Sequence, residues 1–307
     1  MVRSGKRAWL LFSLAALFFF GITNFILGFI SENTAADPQA SVRAAMILWL
    51  GTGILGVGGM AYFRAAGLNF SSLATGGSWR LPLVAGITLA LGMLLLKSGL
   101  AANPLAKGPI VAVTSSNSLV VATLAWLILG ERLSRAQWTG LLIIVAGIAA
   151  VSLGGTAASH FSAIGYAVLA MLFFGLTNFI LKIAGARGCD SLATAVVVWL
   201  SVGACGMLAV SWHVLAHAGF PALEQSGLSW LALLAGIFLA LGMLAIKKAV
   251  TSGPAGPAAA VSGSNAILVG LLDYGFLDHW LPVAKLAGMM VVIAGIVVLA
   301  LAQPTRK

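Results

Sequence analysis

The stretch Phe20-Gly21-Ile22-Thr23-Asn24-Phe25-Ile26-Leu27 returns later in the chain as Phe174-Gly175-Leu176-Thr177-Asn178-Phe179-Ile180-Leu181, changed only at Ile22/Leu176. Each copy sits inside an unbroken apolar run. Matches continue downstream in the same order. Trp49-Leu50 pairs with Trp199-Leu200, and Gly86-Ile87 with Gly236-Ile237. Leu89-Ala90-Leu91-Gly92-Met93-Leu94 pairs with Leu239-Ala240-Leu241-Gly242-Met243-Leu244. Gly108-Pro109 and Ser116-Asn117 pair with Gly256-Pro257 and Ser264-Asn265, and Ala146-Gly147-Ile148 with Ala294-Gly295-Ile296. The spacing between copies shifts only across loops, so the chain reads as an internal duplication.

Composition fixes the solvent. Of 307 residues, 61% are hydrophobic and 8% charged, against about 25% charged in a soluble domain; mean hydropathy is +1.07. A chain this apolar cannot cover itself with polar groups, so lipid must face most of its surface. Apolar runs at 8–30, 42–64, 80–99, 107–129, 136–153, 162–184, 191–213, 228–248, 256–276 and 282–302 predict ten spans. Helices are expected because a lipid-exposed backbone must satisfy its own hydrogen bonds, and the runs lack the alternation of barrel strands. The first run follows Arg3, Lys6 and Arg7 as a signal peptide would, but it is longer than an h-region and recurs mid-chain, so it reads as a span.

Only Arg43, Lys97, Lys107 and Lys285, among 17 Lys and Arg residues, fall outside when the N-terminus is placed in the cytoplasm. That bias predicts both termini inside. The net charge of +10 is thus a topology signal and not a nucleic-acid footprint. With five helices per repeat the second copy must enter the membrane upside down. The predicted fold is an all-α membrane protein of ten transmembrane helices in two inverted five-helix repeats. The repeats cover 1–153 and 162–307, joined by a linker at 154–161. In secondary transporters of this plan the substrate site lies near the midplane.

Leu129-Gly130-Glu131-Arg132-Leu133-Ser134, followed by Gln137, Gly140 and Ala146-Gly147-Ile148, resembles the EamA type of the drug/metabolite transporter superfamily, and the resemblance covers nearly the whole chain. It implies ten helices, cytoplasmic termini and alternating access, without implying one substrate. The second repeat departs from the pattern, with Leu277-Asp278-His279-Trp280-Leu281 where the Glu-bearing turn would stand.

The candidate site follows from depth. At about 1.5 Å per residue, Asn117 and Asn265 lie roughly 13 Å inside their spans, near the centre of a ~30 Å core. With Thr114, Ser115, Ser116, Ser262 and Ser264 they form two mid-depth polar patches, which fit either a polar-solute site or interhelical hydrogen bonding. Asn24 and Asn178 lie deep but off-centre, as pathway or packing residues. Trp49 and Trp199 lie deeper than interfacial anchors, where an aromatic wall, with Phe25 and Phe179, could stack on substrate. Lys97 and Lys247 occupy matching places and fit an anionic group or simple snorkelling. Asp273, a carboxylate within a span, is the coupling candidate beside an interfacial reading.

His213 and His217 share a helix face but lack a third ligand, so no metal is expected. His160 and His279 fall on the outer side. Cys189 and Cys205 match no redox or zinc spacing. The glycines of the second span suit close packing or hinging, and Pro109 and Pro257 suit helix starts.

No Walker A loop is present, and no acid pair, metal cluster or Ser/His dyad suggests an intramembrane enzyme. No catalytic residue and no cofactor is expected. The expected activity is secondary transport of a small organic metabolite such as an amino acid or amine across the inner membrane, with export favoured. A channel or a non-transporting scaffold is the alternative. The expected partners are that small-molecule substrate and the bilayer, without nucleic acid; a homodimer stays open.

Overall fold

The computed structural model describes residues 8–34, 40–68, 79–102, 107–153, 161–217, 227–277 and 282–302. Its regular structure is helical throughout these residues: α1 (Ala8–Asn33), α2 (Ala40–Ala65), α3 (Arg80–Ala102), α4 (Lys107–Ser115), α5 (Asn117–Leu129), α6 (Arg135–Leu153), α7 (Phe161–Ala186), α8 (Ser191–His217), α9 (Ser229–Ser252), α10 (Ala255–Gly263), α11 (Ala266–Leu277) and α12 (Val283–Leu301). Among the described residues nine helices, or helices joined end to end, are long and apolar enough to cross a membrane; a tenth apolar helix, counted over Arg135–Ala150, is shorter. The all-α membrane architecture read from the sequence is the one observed. Outward-facing Leu208, Trp212, Leu215 and Phe276 present the apolar surface that lipid must cover.

One feature of the spans differs from expectation. The runs 107–129 and 256–276 are not continuous helices. Each is two helices, α4–α5 and α10–α11, meeting at Ser116 and at Ser264-Asn265. The expected linker 154–161 lies outside the described residues except for Phe161, as do His160, His279 and the charged termini.

Apolar burial does not drive helices together in lipid, so close packing at small residues must. Along α2, Gly53 meets Gly203 of α8, where an added Cβ would come 2.7 Å from the Gly203 Cα. One turn on, Gly56 meets Leu200, and Gly59 then meets Val196. The contacts ascend α2 while descending α8, so the two helices run antiparallel.

The same order holds between α6 and α12, where Gly140 packs on Leu299 and Gly147 on Val292. The first and third helices cross over. Phe20 of α1 fills the notch at Gly242 of α9, and Phe174 of α7 fills the notch at Gly92 of α3. Thr23 Oγ1 donates to Ala235 O at 3.2 Å, and Thr177 and Thr88 share a hydroxyl hydrogen bond of 2.8 Å.

Replacing Gly53 by Leu puts a side chain where the α8 backbone stands. Overpacking of this kind costs about 1–3 kcal/mol. Gly53→Leu should lower the melting temperature of detergent-solubilised protein followed by size-exclusion chromatography. Gly58→Leu, with nothing within 4 Å of its added Cβ, should leave it unchanged.

Candidate functional site

Both interrupted spans break in the same way. Ser116 (φ −74, ψ 6) and Ser264 (φ −75, ψ 15) let the chain tighten into i→i+3 bonding, with Ser116 N–H to Val113 O at 3.1 Å and Ser264 N–H to Val261 O at 3.2 Å. A break inside a bilayer leaves carbonyls in need of donors. The neighbouring asparagines supply them: Asn117 Nδ2 donates to Thr114 O at 3.1 Å and Asn265 Nδ2 to Ser262 O at 3.3 Å. Ser116 and Ser264 hydroxyls turn back on Ala112 O and Ala260 O. Each amide is thereby oriented with Oδ1 pointing away from its own helix.

The two amides then differ. Asn265 Oδ1 accepts from Asn24 Nδ2 at 3.0 Å, joining two residues that the sequence placed separately. Asn117 Oδ1 is buried with no hydrogen-bond partner, although Gly175 of α7, one turn before Asn178, packs against Val120 and the Asn117 backbone. The tryptophans divide likewise. Both are buried inside the helix packing, at 3% and 5% exposure. Trp199 Nε1 donates to Ala240 O at 3.0 Å, while Trp49 Nε1 is buried without a partner. Phe179 is buried, and Phe25 packs against Phe276 with ring centroids 6.0 Å apart.

Lys97 and Lys247 are buried within the protein at 8% and 1% exposure. Lys247 Nζ donates to Leu181 O at 3.2 Å. Asp273 is half-buried near the C-terminal end of α11. Among the described residues no three His, Cys, Asp or Glu side chains cluster as metal ligands. Cys189 and Cys205 are free thiols.

The residues 129–137 form a construction that composition did not reveal. Gly130 adopts φ 64 at the end of α5, and the Glu131 N–H returns to Ala125 O at 3.1 Å, a left-handed cap that glycine accommodates without strain. Ser134 and Gln137 exchange bonds of 2.9 and 3.2 Å as a capping box for α6. Between the two caps Glu131 is aimed across the molecule. Its Oε1 accepts from Ala255 N–H at 2.9 Å and its Oε2 lies 3.5 Å from Lys182 Nζ. Lys182 donates to Gly253 O at 2.7 Å.

The clamp joins the α5–α6 turn, the end of α7 and the α9–α10 turn. Behind it, Ala255 to Ser262 of α10 are buried without interruption. In the sequence Lys182 is one of the inside charges and Glu131 one residue of the 129–134 motif. Only the fold brings them together.

Residues 161–301 match the model of the EamA-like transporter family, in agreement with the resemblance carried by residues 129–148. One solved structure, described only as "Crystal structure of protein", is similar with a TM-score of 0.72 at 20% identity, covering 95% of this chain and 96% of that chain. At that identity the likeness concerns the fold alone. No curated protein matches the sequence.

A partly buried charge-assisted bond contributes about 1–2 kcal/mol. Lys182→Met or Glu131→Gln should therefore raise the population in which these turns separate locally, roughly 5- to 30-fold. Maleimide labelling of a cysteine placed at Ala258, in a protein lacking Cys189 and Cys205, would report it. Unchanged labelling would show that the contact does not hold this face together.

Proposed function

We propose that the chain is a secondary transporter. It moves a small organic metabolite, such as an amino acid, amine or related solute, across the cytoplasmic membrane by alternating access, outward from the cell. Residues 1–153 and 162–307 act as two inverted repeats, with both termini in the cytoplasm. The observation that carries this reading is the pair of spans broken at equivalent Ser-Asn positions at mid-depth, each turning an amide oxygen away from its own helix. Transporter sites are built from such interrupted helices.

The helix pairing supports the inverted arrangement. α2 meets its sequence counterpart α8 antiparallel, and α6 meets α12 antiparallel. A two-fold axis along the membrane normal would leave counterparts parallel, so these pairings favour an axis in the membrane plane. The reciprocal packing of α1 on α9 and α7 on α3 fits the same axis.

In this reading Asn24, Asn117, Asn178 and Asn265 line the central site with Ser116 and Ser264. Trp49 and Trp199 wall it. The buried Lys97 and Lys247 are candidates for an anionic substrate group, and Asp273 is the coupling candidate. Amide-dominated recognition suits a neutral or zwitterionic solute with hydrogen-bonding groups. The chain acts without a cofactor and performs no enzymatic conversion.

A thermal-shift screen of purified protein against amino acids, amines, nucleosides and sugars should identify a stabilising solute. Counterflow of that solute in proteoliposomes tests the site. Asn117→Leu and Asn265→Leu should each abolish counterflow while remaining monodisperse on size exclusion. Full activity of both variants would take the amides out of the pathway.

A further inference from the structure

Asn24 and Asn178 occupy the same position in the repeated octapeptide, and Asn265 and Asn117 the same position after each helix break. The surrounding registers also agree: Gly21 packs on Leu268 and Gly175 on Val120, residues at matching places after their asparagines. Yet Asn24 is bonded to Asn265 at 3.0 Å, whereas Asn117 Oδ1, held in the same orientation by its own Nδ2 bond to Thr114 O, is buried without a donor.

The indoles repeat the pattern. Trp199 is bonded to Ala240 O, and Trp49, whose counterpart acceptor is the carbonyl of Ala90, is not. A buried acceptor and a buried donor left unmade are each costly. The asparagines and tryptophans are the same residues in matching registers, so their unequal bonding is a difference between the two halves. A difference in conformation between the two halves accounts for both the amide and the indole at once.

Resting on the transport reading above, we infer that the two amide pairs are a mutually exclusive switch. Asn24–Asn265 is made in the state held by the Glu131–Lys182 clamp. In the opposite state it breaks, and Asn178 Nδ2 donates to Asn117 Oδ1. The indole bond passes in step from Trp199–Ala240 to Trp49–Ala90. The exchange keeps the number of satisfied polar groups constant, so neither state carries a desolvation penalty that the other lacks. The glycine notches at Gly21 and Gly175 keep each asparagine within one turn of its acceptor throughout.

The test uses spin labels at the exposed positions Arg135 and Arg187, which flank the clamp, in full-length protein lacking Cys189 and Cys205. Interlabel distances are measured by pulsed electron resonance in lipid nanodiscs, in a Lys182→Met background that loosens the clamp. Asn24→Leu should move the population toward the longer, open distance by roughly three- to tenfold. Asn178→Leu should move it the other way by a similar factor. The double variant should return close to the starting distribution.

A purely structural role would lower stability in both variants without opposite shifts. A purely substrate-binding role would reduce counterflow without moving the distances. Shifts in the same direction, or a distribution that Asn24→Leu leaves unchanged, would overturn the switch. Counterflow on the unsubstituted protein is recorded separately, so a failure to transport would count against the transport reading and not against the distances.

Discussion

Close backbone approach at small residues is the constraint on which the rest of this structure depends. In lipid an apolar side chain gains nothing by leaving acyl chains for another helix, so association needs contact that lipid cannot supply. Gly53 against Gly203, and Gly140 and Gly147 against Leu299 and Val292, provide it between the two halves. Because both contacts join sequence counterparts, they also fix how the halves face one another. The interrupted spans are then brought side by side, α10 packing against α5, without any polar interaction needed to draw them in.

Polar groups inside that frame have few ways to be satisfied. They are buried or half-buried, so each gains from a partner among neighbouring helices or a bound solute. Ser116, Ser264 and the Nδ2 atoms of Asn117 and Asn265 find theirs in their own spans. What is left over, two amide oxygens and two indole N–H groups, is the set that the structure treats unequally. Local helical bonding thus separates the atoms satisfied within each broken span from those whose partners must come from elsewhere.

Much of this was legible in the sequence because the duplication exposed it. The recurrence of Phe20–Leu27 as Phe174–Leu181, with the apolar runs, gave the number and class of spans, and depth along each run singled out Asn117 and Asn265. The breaks at Ser116 and Ser264 were not legible. Serine and asparagine occur in unbroken membrane helices, and Pro109 and Pro257 drew attention to the helix starts instead. The Glu131–Lys182 contact was hidden for a different reason: the positive-inside pattern already accounted for Lys182, and nothing local links it to a residue in the other half. The difference between Asn265 and Asn117 could not be read at all. The two stand in equivalent Ser-Asn motifs, which carry no sign of which amide oxygen is bonded.

The repeat is faithful at the exchangeable bonds and unfaithful at the clamp. Where Lys182 follows the second octapeptide, Gly28 follows the first; where Glu131 follows Leu129-Gly130, His279 follows Leu277-Asp278. The Glu131–Lys182 clamp therefore has no counterpart of the same chemistry at the matching positions of the other repeat. Neutral amide and indole bonds can be traded one for one, but a carboxylate that accepts from a backbone N–H beside an ammonium makes a stronger bond than a neutral acceptor, and its sequence counterparts do not replace it. In the transport cycle proposed above, this contact lowers the energy of the state closed at the clamp. A solute arriving at the clamped face meets a competent state that is only fractionally populated, which lowers its apparent affinity by that fraction. The asymmetry sets how tightly each side appears to bind, while the direction of net movement still follows whatever gradient is coupled to it.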